Sequence, residues 1–238
     1  MLQKIISMKN LWNSLTHISA SEFEFTKTSE PDVIHVVKKI IGEQKMSFEI
    51  KKAAEEVGAV SFEADVTKEN DMMRLADFAT EKFGRIDIWV NNAGLMRPGG
   101  LIEKTNWDYV RDMMEVNLFG IMYGSKAAFV QMKKQKTGVI VNILSTSSLE
   151  GHVEALGYCA SKHAAVGFVR AFRLETEPLG IKIISVYPGG MKTNLFDERG
   201  RSQNYNIFME PSNVARKIIE NLKKENPEEE LILRRPKV

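Results

Sequence analysis

The sequence predicts an α/β fold: a doubly wound parallel sheet with helices on both faces. Three observations carry this expectation. From residue 58 onward, short apolar runs alternate with longer segments whose apolar residues recur at helical spacing. The runs IDIWV, GVIVNIL and IKIISVY are predominantly apolar, as strands buried on both faces must be. Turn-forming residues close each run, so the chain returns through a helix before the next strand begins.

The elements follow in order. Residues 59–66 (AVSFEADV) read as a strand ending near Asp65. Residues 69–83 place Met72, Met73, Leu75, Ala76, Phe78 and Ala79 at helical spacing, and Gly84 stops that helix as a C-cap. Residues 86–90 (IDIWV) form a buried strand, followed by NNAG. A long helix spans residues 106–134, with Thr105 or Asn106 as its N-cap. Residues 138–144 (GVIVNIL) are a strand, residues 158–177 a helix ending before Pro178 and Gly180, and residues 181–187 (IKIISVY) a strand stopped by Pro188. A helix over residues 211–224 starts on a proline, which suits the first turn because its missing N–H has no partner there anyway. Residues 231–233 close the sheet as a last short strand.

The first 57 residues fit this rhythm less well. Residues 31–41 (PDVIHVVKKII) and 48–57 read as helices, residues 2–8 and 22–25 as short strands, and residues 10–21 as loop. Two parts are therefore expected: an atypical N-terminal segment, 1–57, and a doubly wound domain, 58–238.

Bulk properties narrow the function. A chain of 238 residues suits one large domain with a sizeable core. A net charge of +2 gives no electrostatic case for nucleic acid. No apolar run approaches membrane-spanning length, and Lys4, Lys9, Asn10 and Asn13 break the N-terminus too often for a signal peptide. The single cysteine, Cys159, excludes an internal disulfide framework and suits a reducing compartment. The expected location is the cytoplasm. No metal site is read from the sequence.

In a parallel sheet with right-handed crossovers, ligands bind in the crevice at the strand C-termini. Asp65, Asn91, Ser145 and Pro188 all fall there, which points to one shared site. Tyr158 and Lys162, four apart on a helix, share a face. A nearby ammonium lowers the pKa of a phenol, which can then exchange a proton with an alcohol or a carbonyl oxygen. Ser145, at the end of the GVIVNIL strand, can hydrogen-bond the same substrate oxygen. Each residue has a plainer reading: a surface Tyr–Lys pair, a loop serine beside Ser147 and Ser148, a simple turn at NNAG. Asn117, inside an apolar helix, needs partners; it either holds a water that links Lys162 to solvent or is a satisfied core amide.

Taken in order, Asp65-Val66-Thr67, NNAG at residues 91–94, Asn117, Ser145, Tyr158-x-x-x-Lys162 and Pro188-Gly189-x-x-x-Thr193 resemble the short-chain dehydrogenase/reductase family over roughly four-fifths of the chain. The resemblance implies a Rossmann-like sheet and an NAD- or NADP-dependent oxidoreductase interconverting a carbonyl and a secondary alcohol. It implies Tyr158 as general acid/base, Ser145 polarising the substrate oxygen, Lys162 lowering the tyrosine pKa and binding the nicotinamide ribose, and Asn117 holding a relay water. It implies that Asp65, Val66, Asn91, Ala93, Gly94, Pro188, Gly189, Met191 and Thr193, with Tyr158 and Lys162, line the coenzyme. It also implies a homodimer or homotetramer built on the two long helices, and a substrate pocket bordered by Met96, Pro98, His152, Glu154 and residues 194–208. The family's TGxxxGxG loop has no match in residues 1–57, where Gly42 is the one glycine. The first βαβ unit is thus expected to be degenerate or replaced. That departure keeps a second reading open, a catalytically impaired relative serving as a binding or scaffold protein. The choice between NAD and NADP is left undecided.

Overall fold

The computed structural model describes residues 34–37, 54, 59–193, 195 and 205–235. The strands are β1 (Ile34–Val37), β2 (Val60–Glu63), β3 (Ile88–Asn91), β4 (Gly138–Ile143), β5 (Ile181–Pro188) and β6 (Glu230–Leu233). The helices are α1 (Glu69–Phe83), α2 (Trp107–Met114), α3 (Gly120–Gln135), α4 (Leu156–Thr176) and α5 (Pro211–Leu222). Every strand pairing is parallel: β1 with β2, and β3-β4-β5-β6 in that order.

Alternation along the strands divides the core in two. Trp89, Ile140, Ile181, Ile183 and Tyr187 pack with α1, α3 and α4 on one face. Val141, Ile143, Ile184, Val186 and Leu233 pack on the other against Val214, Ala215, Ile218 and Ile219 of α5. Both faces of β4 and β5 are covered, so their near-continuous apolar text reflects burial on two sides. The predicted α/β class and doubly wound parallel sheet are therefore found.

One element differs from expectation. Ile34–Val37 lies inside the segment read as a helix over residues 31–41, yet it is a strand in register with β2, Ile34 opposite Val60 and Val37 opposite Glu63. Three of its four residues are β-branched, and a parallel partner satisfies the backbone groups that a helix would otherwise pair internally. Pro31, which suggested a helix start, lies outside the described residues, as do the strands expected at 2–8 and 22–25, the loop at 10–21 and all but Ala54 of the helix expected at 48–57. Among the described residues no strand joins β1 to β3.

The predicted long helix is present with a defect that matters for function. Asn106 caps α2 by accepting a hydrogen bond from Asp108 N at 3.0 Å. Between α2 and α3 the helix widens into a π turn, Glu115–Phe119, in which Gly120 N bonds back to Glu115 O. Such turns insert one extra residue per turn and cluster at functional sites. Here the inserted turn carries Asn117.

Across the sheet, Asn91, Asn142, Ser185 and Glu230 stand side by side in register on β3, β4, β5 and β6. Asn91 Nδ2 donates to Asn142 Oδ1 at 2.8 Å and to Ser125 Oγ of α3 at 2.9 Å, and Asn91 Oδ1 accepts from Trp89 Nε1 at 2.8 Å. Arg173 of α4 donates to Ser185 Oγ at 3.0 Å and pairs with Glu229 and Glu230. This polar row crosses all four strands, at the end of β3, next to the end of β4, within β5 and at the start of β6.

Candidate active site

Four elements converge at the C-terminal edge of the sheet. β4 ends at Ile143, Leu144 N bonds to Val186 O of β5, and Ser145 follows in extended conformation. Ser145 Oγ accepts from Ser147 N at 3.1 Å, while Ser148 Oγ donates to Ser145 O. A short 3-10 turn over Thr146–Ser148 thereby fixes the serine. Tyr158 and Lys162 lie in α4 and are 7% and 3% exposed.

The expected group does come together. The Tyr158 hydroxyl lies beside the Ser145 side chain, which favours its ionised form. Lys162 Nζ lies 5.9 Å from the Tyr158 ring centre and donates to Ile143 O at 3.1 Å. That is the ammonium's one hydrogen bond among the described residues, so two of its three protons remain for a ligand. The Gly94 α-carbon sits beside it: a side-chain carbon there would lie 4.0 Å from Lys162 Nζ and 3.8 Å from Asn117 Oδ1.

Asn117 is fully buried and largely committed. Its Nδ2 donates to Leu95 O at 2.8 Å and to Ser161 Oγ at 3.0 Å, and its Oδ1 accepts from Leu95 N at 2.8 Å. Of the two readings offered by the sequence, a water held by the side chain is left with a single Oδ1 lone pair. The amide's main work here is to tie the loop after β3 to the π turn. Ser161 Oγ in turn donates to Tyr158 O at 2.8 Å, so the same network reaches the helix turn that carries the tyrosine.

Burial sets the electrostatics. Desolvation pushes the Tyr158 phenol up to about 12, against the opposing pull of the neighbouring Ser145 side chain. Desolvation likewise brings the Lys162 ammonium down to about 8. A neighbouring ammonium alone would lower the phenol; in the structure the loss of water around the phenol outweighs the pull of its neighbours. At neutral pH the site therefore holds a protonated phenol beside a charged ammonium.

The remaining predicted residues divide into two groups. Asp65 Oδ1 accepts from Thr67 N at 3.0 Å and Thr67 Oγ1 at 2.7 Å, which shapes the turn into α1. Val66 is buried against Gly120 of α3. Asn91 spends its side chain on the sheet, so lining a ligand falls to Ala93 and Gly94 after it. Pro188 ends β5, Gly189 N bonds to Leu233 O at 2.8 Å, and Met191 forms an isolated bridge with Met209, just before Thr193. Residue types alone could not have identified the Ile143 carbonyl that receives Lys162. Ser161 was more accessible to sequence reading, as a hydroxyl within the buried face of α4. Among the described residues no cluster of His, Cys, Asp or Glu is placed to hold a metal ion, and no helix is long and apolar enough to cross a membrane.

Comparison with known proteins agrees with this fold. The family model for short chain dehydrogenases matches residues 33–204. An uncharacterized oxidoreductase of Staphylococcus saprophyticus is 34% identical over 196 residues, which cover 76% of this chain and 78% of that protein. The 3-oxoacyl-[acyl-carrier-protein] reductase of Buchnera aphidicola is 34% identical over 144 residues, 60% of this chain but only 58% of the relative. The structure of ElxO with NADP bound superposes with a TM-score of 0.70 at 27% identity, covering 85% of this chain and 86% of that one. The chain belongs to the short-chain dehydrogenase family of oxidoreductases.

Proposed function

We propose that the chain transfers hydride between a nicotinamide coenzyme, NAD or NADP, and a small carbonyl or secondary alcohol, with Tyr158 as the proton donor and acceptor. One observation carries the reading most: a hydroxyl, a phenol and a buried ammonium lie together near the C-terminal end of β4. The NADP held by ElxO supports the choice of coenzyme class. The residues present fit the nicotinamide–ribose end of such a molecule. Lys162 offers two uncommitted protons, and Gly94 leaves the space beside them free of a side chain. Ala93, Gly94 and the residue 188–193 loop would flank that end, with Asp65 and Val66 toward the adenine.

When bound, the coenzyme supplies or accepts the hydride. The chain's own residues handle the proton. In the reducing direction, Ser145 and Tyr158 hold the carbonyl oxygen between two hydroxyls, which favours the charge that develops there. A phenol kept protonated at neutral pH then gives its proton to that oxygen. The phenolate left behind is stabilised by the Lys162 ammonium and regains a proton from solvent. In the oxidising direction the same transfers run in reverse.

The test is a titration with NADH and NADPH, followed by thermal or denaturant unfolding. Coenzyme at one hundred times its dissociation constant adds about 2.7 kcal/mol of stability. A clear shift with either nucleotide supports the reading. No shift with both would favour a binding or scaffold protein that retains the family fold.

The reading extends to assembly. Phe129 of α3 and Phe168 of α4 are only partly buried, and Leu174 of α4 is 71% exposed. Pairing of these helices with a second copy would cover them, giving a homodimer or homotetramer. Light scattering at micromolar concentration should find such an assembly; a stable monomer would remove this part of the proposal.

A further inference from the structure

We propose that Phe208, backed by Arg235, clamps the residue 188–193 loop, making Phe208 a positioning residue for coenzyme binding. The binding role rests on the reading of that loop as part of the coenzyme site; the clamp itself does not.

The loop contains two adjacent glycines, Gly189 and Gly190, and so has little side-chain bulk of its own to hold it. Contacts from two distant segments make up for this. On one side, Met209 N donates to Gly190 O at 2.9 Å and Lys192 N donates to Met209 O at 3.0 Å. On the other side, Gly189 N donates to Leu233 O at 2.8 Å.

Phe208 lies where these contacts meet. A side-chain carbon on Gly190 would fall 2.7 Å from the ring's Cε1 and 2.8 Å from Cδ1 and Cζ, so the ring rests directly on the glycine α-carbon. Tyr205 packs against the ring at 5.5 Å, and the Arg235 guanidinium lies 6.0 Å from its centre. Phe208 is 8% exposed. A loop already fixed in its bound shape binds ligand without a further ordering cost.

The test compares Phe208→Ala, Phe208→Leu and Phe208→Tyr with the wild type. Amide hydrogen exchange without coenzyme reads the clamp. Exchange at residues 189–193 should accelerate about tenfold or more in Phe208→Ala, and less in Phe208→Leu, while Phe208→Tyr keeps the wild-type rate. Unchanged exchange in Phe208→Ala would overturn the clamp. Steady-state kinetics reads the positioning role: KM for coenzyme should rise about tenfold in Phe208→Ala with kcat at saturation unchanged. A loosened loop with unaltered KM would overturn that role. Wild-type protein that binds neither NADH nor NADPH would remove the coenzyme reading and this role with it, while the exchange comparison still decides the clamp.

Discussion

Tyr158→Phe should lower the rate of carbonyl reduction by about a thousandfold while coenzyme affinity stays nearly unchanged. The substitution removes one oxygen from a residue that is 7% exposed and leaves the ring in place among its apolar neighbours. The phenol is the group at this site that combines a transferable proton with a place beside Ser145. Without it, Ser145 still offers a hydroxyl to the substrate oxygen but has no ammonium beside it to stabilise an oxyanion. Lys162 keeps its place, because it is anchored by Ile143 O and not by the phenol. Coenzyme affinity, measured by titration, and turnover, measured by loss of reduced coenzyme, should therefore separate. Retained turnover in the variant would mean that the proton comes from elsewhere.

Lys162→Met should act in opposite directions on stability and activity. The buried ammonium is held at about 8 against an ordinary value of 10.5, which corresponds to a cost of about 3 kcal/mol at neutral pH, taking about 1.4 kcal/mol for each tenfold loss of proton affinity. Methionine removes that cost but leaves Ile143 O without its donor, a loss of about 1–3 kcal/mol. The expected net gain is about 1 kcal/mol near pH 7, read from denaturant midpoints. The pH dependence isolates the charge. Between about 8 and 10.5 the unfolded chain holds this proton and the folded chain does not, so wild-type stability rises with pH through that window. Below it both states are protonated and the cost is present in full. Tyr158 acts the other way at higher pH: its folded-state value of about 12 exceeds its ordinary 10, so stability falls across that interval. Lys162→Met should abolish the rise and keep the fall. Its turnover should drop by about a hundredfold or more, because the phenolate loses its counter-charge. A variant no more stable than wild type at neutral pH, and with the same rise above it, would mean that the lysine is solvated and not buried as a charge.

Local chemistry made much of this molecule legible in the sequence. β4 and β5 are covered on both faces, so their apolar text needed no knowledge of the partners. Gly84 ends α1 in the left-handed conformation and Asn106 caps α2, both as their residue types suggest. Ser145, Tyr158 and Lys162 met because a strand end and the first turns of the following helix are neighbours in this topology. β1 was harder. Its strand conformation depends on pairing with β2, more than twenty residues away, and a proline upstream gave a competing local signal. Phe208 and Gly190 are neighbours only because Met209 returns beside the loop, a contact with no local cue. The pKa directions were hidden for a related reason. They depend on how completely water is excluded from Tyr158 and Lys162, which follows from the packed core and not from their spacing.

The most direct test of the account is isotope transfer. Reduced coenzyme carrying deuterium at the transferable position of the nicotinamide ring would be incubated with the protein and a panel of aldehydes and ketones, and the product alcohols examined by mass spectrometry. The account predicts deuterium on the former carbonyl carbon with wild-type protein and almost none with Tyr158→Phe. Coenzyme that binds tightly yet never passes its label to any carbonyl would contradict it.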